Sequence, residues 1–78
     1  MTLIADFTVE PFVPGAPGPH VLAAIDAARQ AGATLVVGPF GNEVTADDDA
    51  IVLSAVARAL EAGIAAGATR LAVEVRQR

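Results

Sequence analysis

Three groups of residues carry the chemistry this chain has to offer. Asp47, Asp48 and Asp49 set three carboxylates side by side ahead of a long helical pattern. His20 and Ser54, the single histidine and the single serine, supply a base and a hydroxyl. The stretch Gly38-Pro39-Phe40-Gly41-Asn42-Glu43 brings an aromatic ring, an amide and a carboxylate together. Clustered carboxylates could hold a hard divalent cation. Serine, histidine and an acid could run acyl transfer. A ring with an amide and a carboxylate could grip a flat, positively charged heterocycle.

The first two options give way to plainer roles. Acids at the start of a helix accept its unpaired N–H groups and complement its dipole. Thr45, three residues ahead of Asp48, resembles one half of a capping pair. A magnesium ion would find no second set of ligands near in sequence, so no metal site is expected and the run Asp47 to Asp49 is expected to cap the helix. Ser54 falls mid-helix on a polar stripe, away from His20, so no catalytic residue and no enzymatic activity are expected. The hairpin group keeps two readings. Phe40 either folds back over the core or walls a pocket; Asn42 and Glu43 are either turn and edge residues or ligand contacts.

The elements that position these residues follow from periodicity. Leu3, Ala5, Phe7 and Val9 alternate with Ile4, Asp6, Thr8 and Glu10, a half-buried strand that Pro11 ends. A stiff loop, PFVPGAPGP, follows it. From about His20 a helix is predicted, with Val21, Ala24, Ile25 and Ala28 on its buried face and Gly32 at its end. ATLVVG is a second strand and NEVT begins a third, with a wide turn over Gly38 to Asn42 between them. In the next helix Val52, Leu53, Val56, Ala59, Leu60, Gly63 and Ile64 make one apolar stripe. The last strand turns Leu71, Val73 and Val75 inward and Arg70, Glu74 and Arg76 outward.

Two stretches echo each other. QAGATLVV and AAGATRLAV both run from helix end through glycine and Ala-Thr into a strand. The order strand, helix, strand repeated twice predicts an α+β, ferredoxin-like βαββαβ domain spanning residues 1–78, with two helices on one face of a four-stranded antiparallel sheet. In that topology the loop after the first strand, the hairpin and the turn before the last strand all meet at one end. The N-terminus of the first helix lies there too, with its unpaired N–H groups. This convergence is the candidate site: Pro11, Phe12, Val13, Gly38, Pro39, Phe40, Asn42 and Glu43.

Composition narrows the partners. A net charge of −4 with five arginines and no lysine does not suit a phosphate-tracking surface, so nucleic acid is not expected. No apolar run reaches the ~18 residues of a membrane span, and the N-terminus already alternates like a strand instead of resembling a leader. A cytoplasmic location is therefore expected, with no membrane partner. Cysteine is absent, which removes disulfides and thiolate chemistry. Hydrophobic residues make up 54% of so short a chain, which favours burying more surface by self-association. The open sheet face is the expected interface, with Ile4, Val36 and Ala72 at its centre and acids and arginines around them.

The strand end VEPFVPG, the hairpin GPFGNEV and the long second helix resemble the small thiamine-binding protein family, from Leu3 to Val75. The family's hairpin reads Pro-Met-Gly-Thr; here it is Pro39, Phe40, Gly41 and Asn42. Where many members carry serines and an aromatic at the start of the first helix, this chain has Ala16, Gly18 and His20. Thr45 and Ala46 stand where an acidic-glycine pair is common. The resemblance implies a ferredoxin-like fold, a homodimer or homotetramer, and a non-enzymatic role in binding thiamine or its hydroxymethylpyrimidine half, with no other cofactor. The alternative is a structural oligomerisation or regulatory module without a small ligand.

Overall fold

Apolar-polar alternation does build the first strand, β1 (Leu3–Glu10), in a computed structural model that describes residues 2–13, 15–39 and 41–78. It is followed by α1 (Pro19–Gln30), β2 (Thr34–Gly38), β3 (Gly41–Thr45), α2 (Asp49–Ala65) and β4 (Arg70–Gln77). The strands form one antiparallel sheet in the order β2-β3-β1-β4. Both helices lie on the same side of it, each crossing over one strand to reach the next: the α+β, ferredoxin-like arrangement.

Period two in β1 turns Ala5, Phe7 and Val9 into the core, where they meet Val44 of β3. Above them pack Val21, Ala24, Ile25 and Ala28 of α1 and Val52, Ala55, Val56 and Ala59 of α2. Each large side chain buried here contributes about 1.5–3 kcal/mol. The helices approach each other on small residues. A Cβ on Gly63 would sit 3.5 Å from that of Ala24 and 3.2 Å from Leu71 Cδ2, so the two helices and β4 close around a position without a side chain.

The helix ends follow local chemistry. Pro19 occupies the first turn of α1, where a missing N–H costs nothing. At the other end of α2, Gly67 takes φ +105°. There Gly67 N–H bonds the Ile64 carbonyl and Ala68 N–H the Gly63 carbonyl, the paired bonds of a Schellman stop. At the start of α2 the cap is Asp48, not Asp47: its Oδ1 accepts from Ala50 N–H at 2.9 Å. Asp49 does something else, accepting from Leu3 N–H at 2.9 Å and so pinning the start of β1 to the start of α2. Asp47 is exposed, one residue too early to reach either donor.

Three expectations are corrected by the packing. The hairpin is tighter than a wide turn, because Gly38 pairs with Gly41 and only Pro39 and Phe40 remain between the strands. Leu53 and Ile64 lie outside the buried stripe of α2, which runs through Val52, Ala55, Val56, Ala59 and Gly63. Val73 and Val75 point to the helix side of β4, yet remain exposed, because α2 sits over β1 and only partly covers the edge strand.

On the sheet's open face, Ile4 is buried beside its cross-strand partner Arg76. The Arg76 guanidinium donates to Asp6, lies 3.5 Å from Glu74 and 4.0 Å from Glu43. These partners raise its pKa further above the ordinary arginine value, chiefly through the hydrogen bond and charge of Asp6. Arg70 pairs in the same way with Glu10. The arginines expected to meet a partner's acids are thus engaged within their own chain, and the apolar centre of this face is reduced to Val36 and Ala72.

Candidate functional site

The convergence of loops at one sheet end takes shape from the ladder. β1 and β2 both run antiparallel to β3 and so point the same way. The 11–18 loop and the hairpin therefore emerge at one end, beside the start of α1. β4 begins there too, with Arg70 paired to Glu10. Thr69 closes this corner, donating its N–H to the Glu10 carbonyl at 2.8 Å and its hydroxyl to the same oxygen at 3.2 Å. The Glu10–Pro11 bond is cis. His20 holds the loop from the other side: its Nε2–H donates to the Pro11 carbonyl at 2.5 Å. Gly18 leaves room for this, since a Cβ there would collide with the imidazole at 2.6 Å.

Between these loops, α1 and the hairpin lies a cavity of about 630 Å³. Val9, Val21 and Ile25 give it an apolar back wall. Phe12, Leu22 and Val37 line it while remaining substantially exposed, so their apolar surface faces an open space. Asn42 is the buried polar residue among those described, at 6% exposure. Its Nδ2 donates to the Phe7 carbonyl at 3.2 Å, which fixes the amide plane at the cavity wall. The Glu10–Arg70 ion pair closes one rim, and Asp26 and Arg29 of α1 stand on another.

Of the residues expected at the site, Phe12, Gly38, Pro39 and Asn42 line this cavity. Pro11 and Val13 are exposed loop residues outside its lining, Pro11 acting through its carbonyl on His20. Phe40 lies outside the described residues. Glu43 is separated from Asn42, because neighbours in a strand point to opposite faces. It lies on the open sheet face, where a shallower depression of about 580 Å³ runs past Asp6, Val36 and Glu74. An amide and a carboxylate acting together on one ligand would therefore pair Asn42 with Asp26 instead of Glu43.

The α1 flank beyond its first turn lines the cavity although no residue of it is among those expected from sequence. Leu22, Asp26 and Arg29 follow helical spacing, one step around from the buried stripe that holds Ile25. Since α1 connects β1 to β2 and must pass over β3, that flank overhangs Val37 of β2. The signal was present in the combination of spacing and topology, not in either alone.

No family model and no curated protein matches the chain. Among solved structures it is similar to a domain of unknown function, DUF77, from Bacillus cereus, with a TM-score of 0.72 and 24% identity over 99% of this chain and 76% of that one. It is also similar to the protein SP2199 from Streptococcus pneumoniae, with a TM-score of 0.57 and 24% identity over 97% of this chain and 83% of that one. The likeness is one of fold, and it takes in all six elements of the ferredoxin-like domain that holds the cavity.

Proposed function

We propose that the protein is a non-enzymatic binding protein for a small heteroaromatic cation, with thiamine or its hydroxymethylpyrimidine half as the ligand. The cavity at the end of the sheet carries this reading. Its volume lies within the ~300–1,000 Å³ of small-ligand sites, and its make-up follows their pattern of apolar walls with few polar groups. Phe12, Leu22 and Val37 offer surface to a flat ring, Asn42 offers an amide, and Asp26 offers a carboxylate, while Glu10 is already paired with Arg70.

Titration calorimetry and thermal melts with thiamine and with hydroxymethylpyrimidine test the reading, since a ligand that binds only the native state raises Tm by mass action. Leu22→Arg fills the cavity from an exposed helix position and should leave the unliganded melt near that of the parent while abolishing the ligand response. If millimolar concentrations of both compounds give neither heat nor a Tm shift with the parent protein, this reading is wrong. A structural module built by self-association is the second reading, and the exposed apolar flank of α2 and β4 favours it.

A further inference from the structure

The charged side chains around the cavity are not equally available to a ligand. Glu10 and Arg70 line one rim and satisfy each other. Asp26 and Arg29 line another. Among the described residues neither of these two enters an ion pair, with each other or with any other group. Once the internal pair is set aside, one open charge of each sign remains. The chain carries a net charge of −4 and only five arginines, so an unpaired arginine at this cavity stands out against its surroundings.

The order of groups along α1 gives the two charges a direction. Leu22, Asp26 and Arg29 share one flank of the helix and line the cavity together. At ~1.5 Å of rise per residue, Asp26 stands about 6 Å beyond Leu22 along the axis, and Arg29 about 4.5 Å beyond Asp26. From the loop end onward the flank presents apolar surface, then a carboxylate, then a guanidinium. A ligand that is only a cation meets the first two groups and brings its charge toward the third, which repels it. Arg29 also complements the dipole at the C-terminal end of α1. That role leaves the guanidinium N–H donors open to an anion.

We propose that the cavity takes its ligand as a phosphate monoester, with a flat ring against Phe12 and Leu22, a positive centre beside Asp26 and the phosphate on Arg29. This rests on the binding reading above and names the chemical form of the ligand. Both compounds named there end in a primary alcohol. Esterification turns that neutral end into a group of about −1.5 to −2 charge at pH 7, whose oxygens match the guanidinium fork. Among the described lining residues Arg70 is the other cation, and Glu10 holds it. A diphosphate would therefore add charge without adding a partner.

Titration calorimetry of the parent chain with thiamine, hydroxymethylpyrimidine and the monophosphate of each tests the proposal. Each ester should bind about tenfold tighter than its alcohol, the worth of one hydrogen bond to a charged group. The gap should narrow as salt is raised, and thiamine diphosphate should gain nothing over the monophosphate. Arg29→Gln should bring ester and alcohol to one affinity, and Arg29→Lys should keep part of the gap. Arg58→Gln removes the same charge from an exposed position on α2 outside the cavity lining and should keep all of it. Circular dichroism confirms that each variant is folded. Alcohols that bind with esters no tighter, or an Arg29→Gln protein that keeps the full gap, overturn the phosphate subsite and leave the binding reading standing. Silence from alcohols and esters alike overturns both.

Discussion

At the level of single residues, neighbours in sequence take separate tasks. Asp48 caps α2 and Asp49 fastens β1, while Asp47 touches neither donor. Asp48→Ala should therefore cost about 1 kcal/mol in urea denaturation, whereas Asp47→Ala should fall within about 0.5 kcal/mol of the parent. Asp48→Asn keeps an accepting oxygen and should restore most of the difference. The sequence revealed that this run belongs to a helix start, but the acid that caps depends on a one-residue boundary that composition leaves open. Asn42 and Glu43 show a related limit. Their proximity in sequence suggested a joint role, yet the pleat sends one to the cavity and the other to the Arg76 cluster. That cluster has a simple pH dependence. The guanidinium pKa is raised, so its contribution is fully present below the ordinary arginine range and is lost only above it. Denaturation midpoints should accordingly be flat from neutral pH to about pH 10 as far as Arg76 is concerned, and Arg76→Lys is the variant whose midpoint should begin to fall near the top of that range.

At the scale of elements, periodicity and punctuation made the architecture legible. Period two placed β1, period 3.6 placed both helices, and the Gly-Ala-Thr echo marked the two helix-to-strand returns at Gly32 and Gly67. The echo has a physical basis, since both glycines take positive φ where a Cβ would be strained. Nothing lies within 4 Å of a Cβ built on Gly67, so Gly67→Ala isolates this backbone effect from any clash. It should destabilise by about 1–2 kcal/mol in denaturant titrations, with spectra unchanged. What periodicity overstated was coverage. The apolar stripe of α2 is wider than the contact it makes, so Leu53 and Ile64 fit the helical pattern without being core. Dense glycine and proline predict a wide hairpin, although Gly38 and Gly41 are themselves ladder partners. Gly38 is held closely, a Cβ there lying 3.2 Å from the Gly41 carbonyl, which explains a glycine inside the strand rather than in the turn.

For the whole molecule, the question is where so short a chain finds enough buried surface. A domain of this size hides a smaller share of its chain than a larger one, and it has no cysteine with which to form a disulfide. The open face offers little further gain, because Ile4 is already buried and both arginines on that face are paired at home. The α2 and β4 flank, where Leu53, Ile64, Val73 and Val75 are exposed, borders the outer edge of the sheet, so the self-association of the second reading would add area and hydrogen bonds together there. Association of native chains stabilises them by mass action, and stability then depends on protein concentration. The parent should melt at a higher temperature as its concentration rises across two orders of magnitude, while Val75→Glu should melt at one temperature throughout. Val36→Glu should retain the parent's slope. A parent whose Tm does not move with concentration would mean that the protomer is stable without this contact, and that the apolar flank of α2 and β4 is open to solvent or to a different partner.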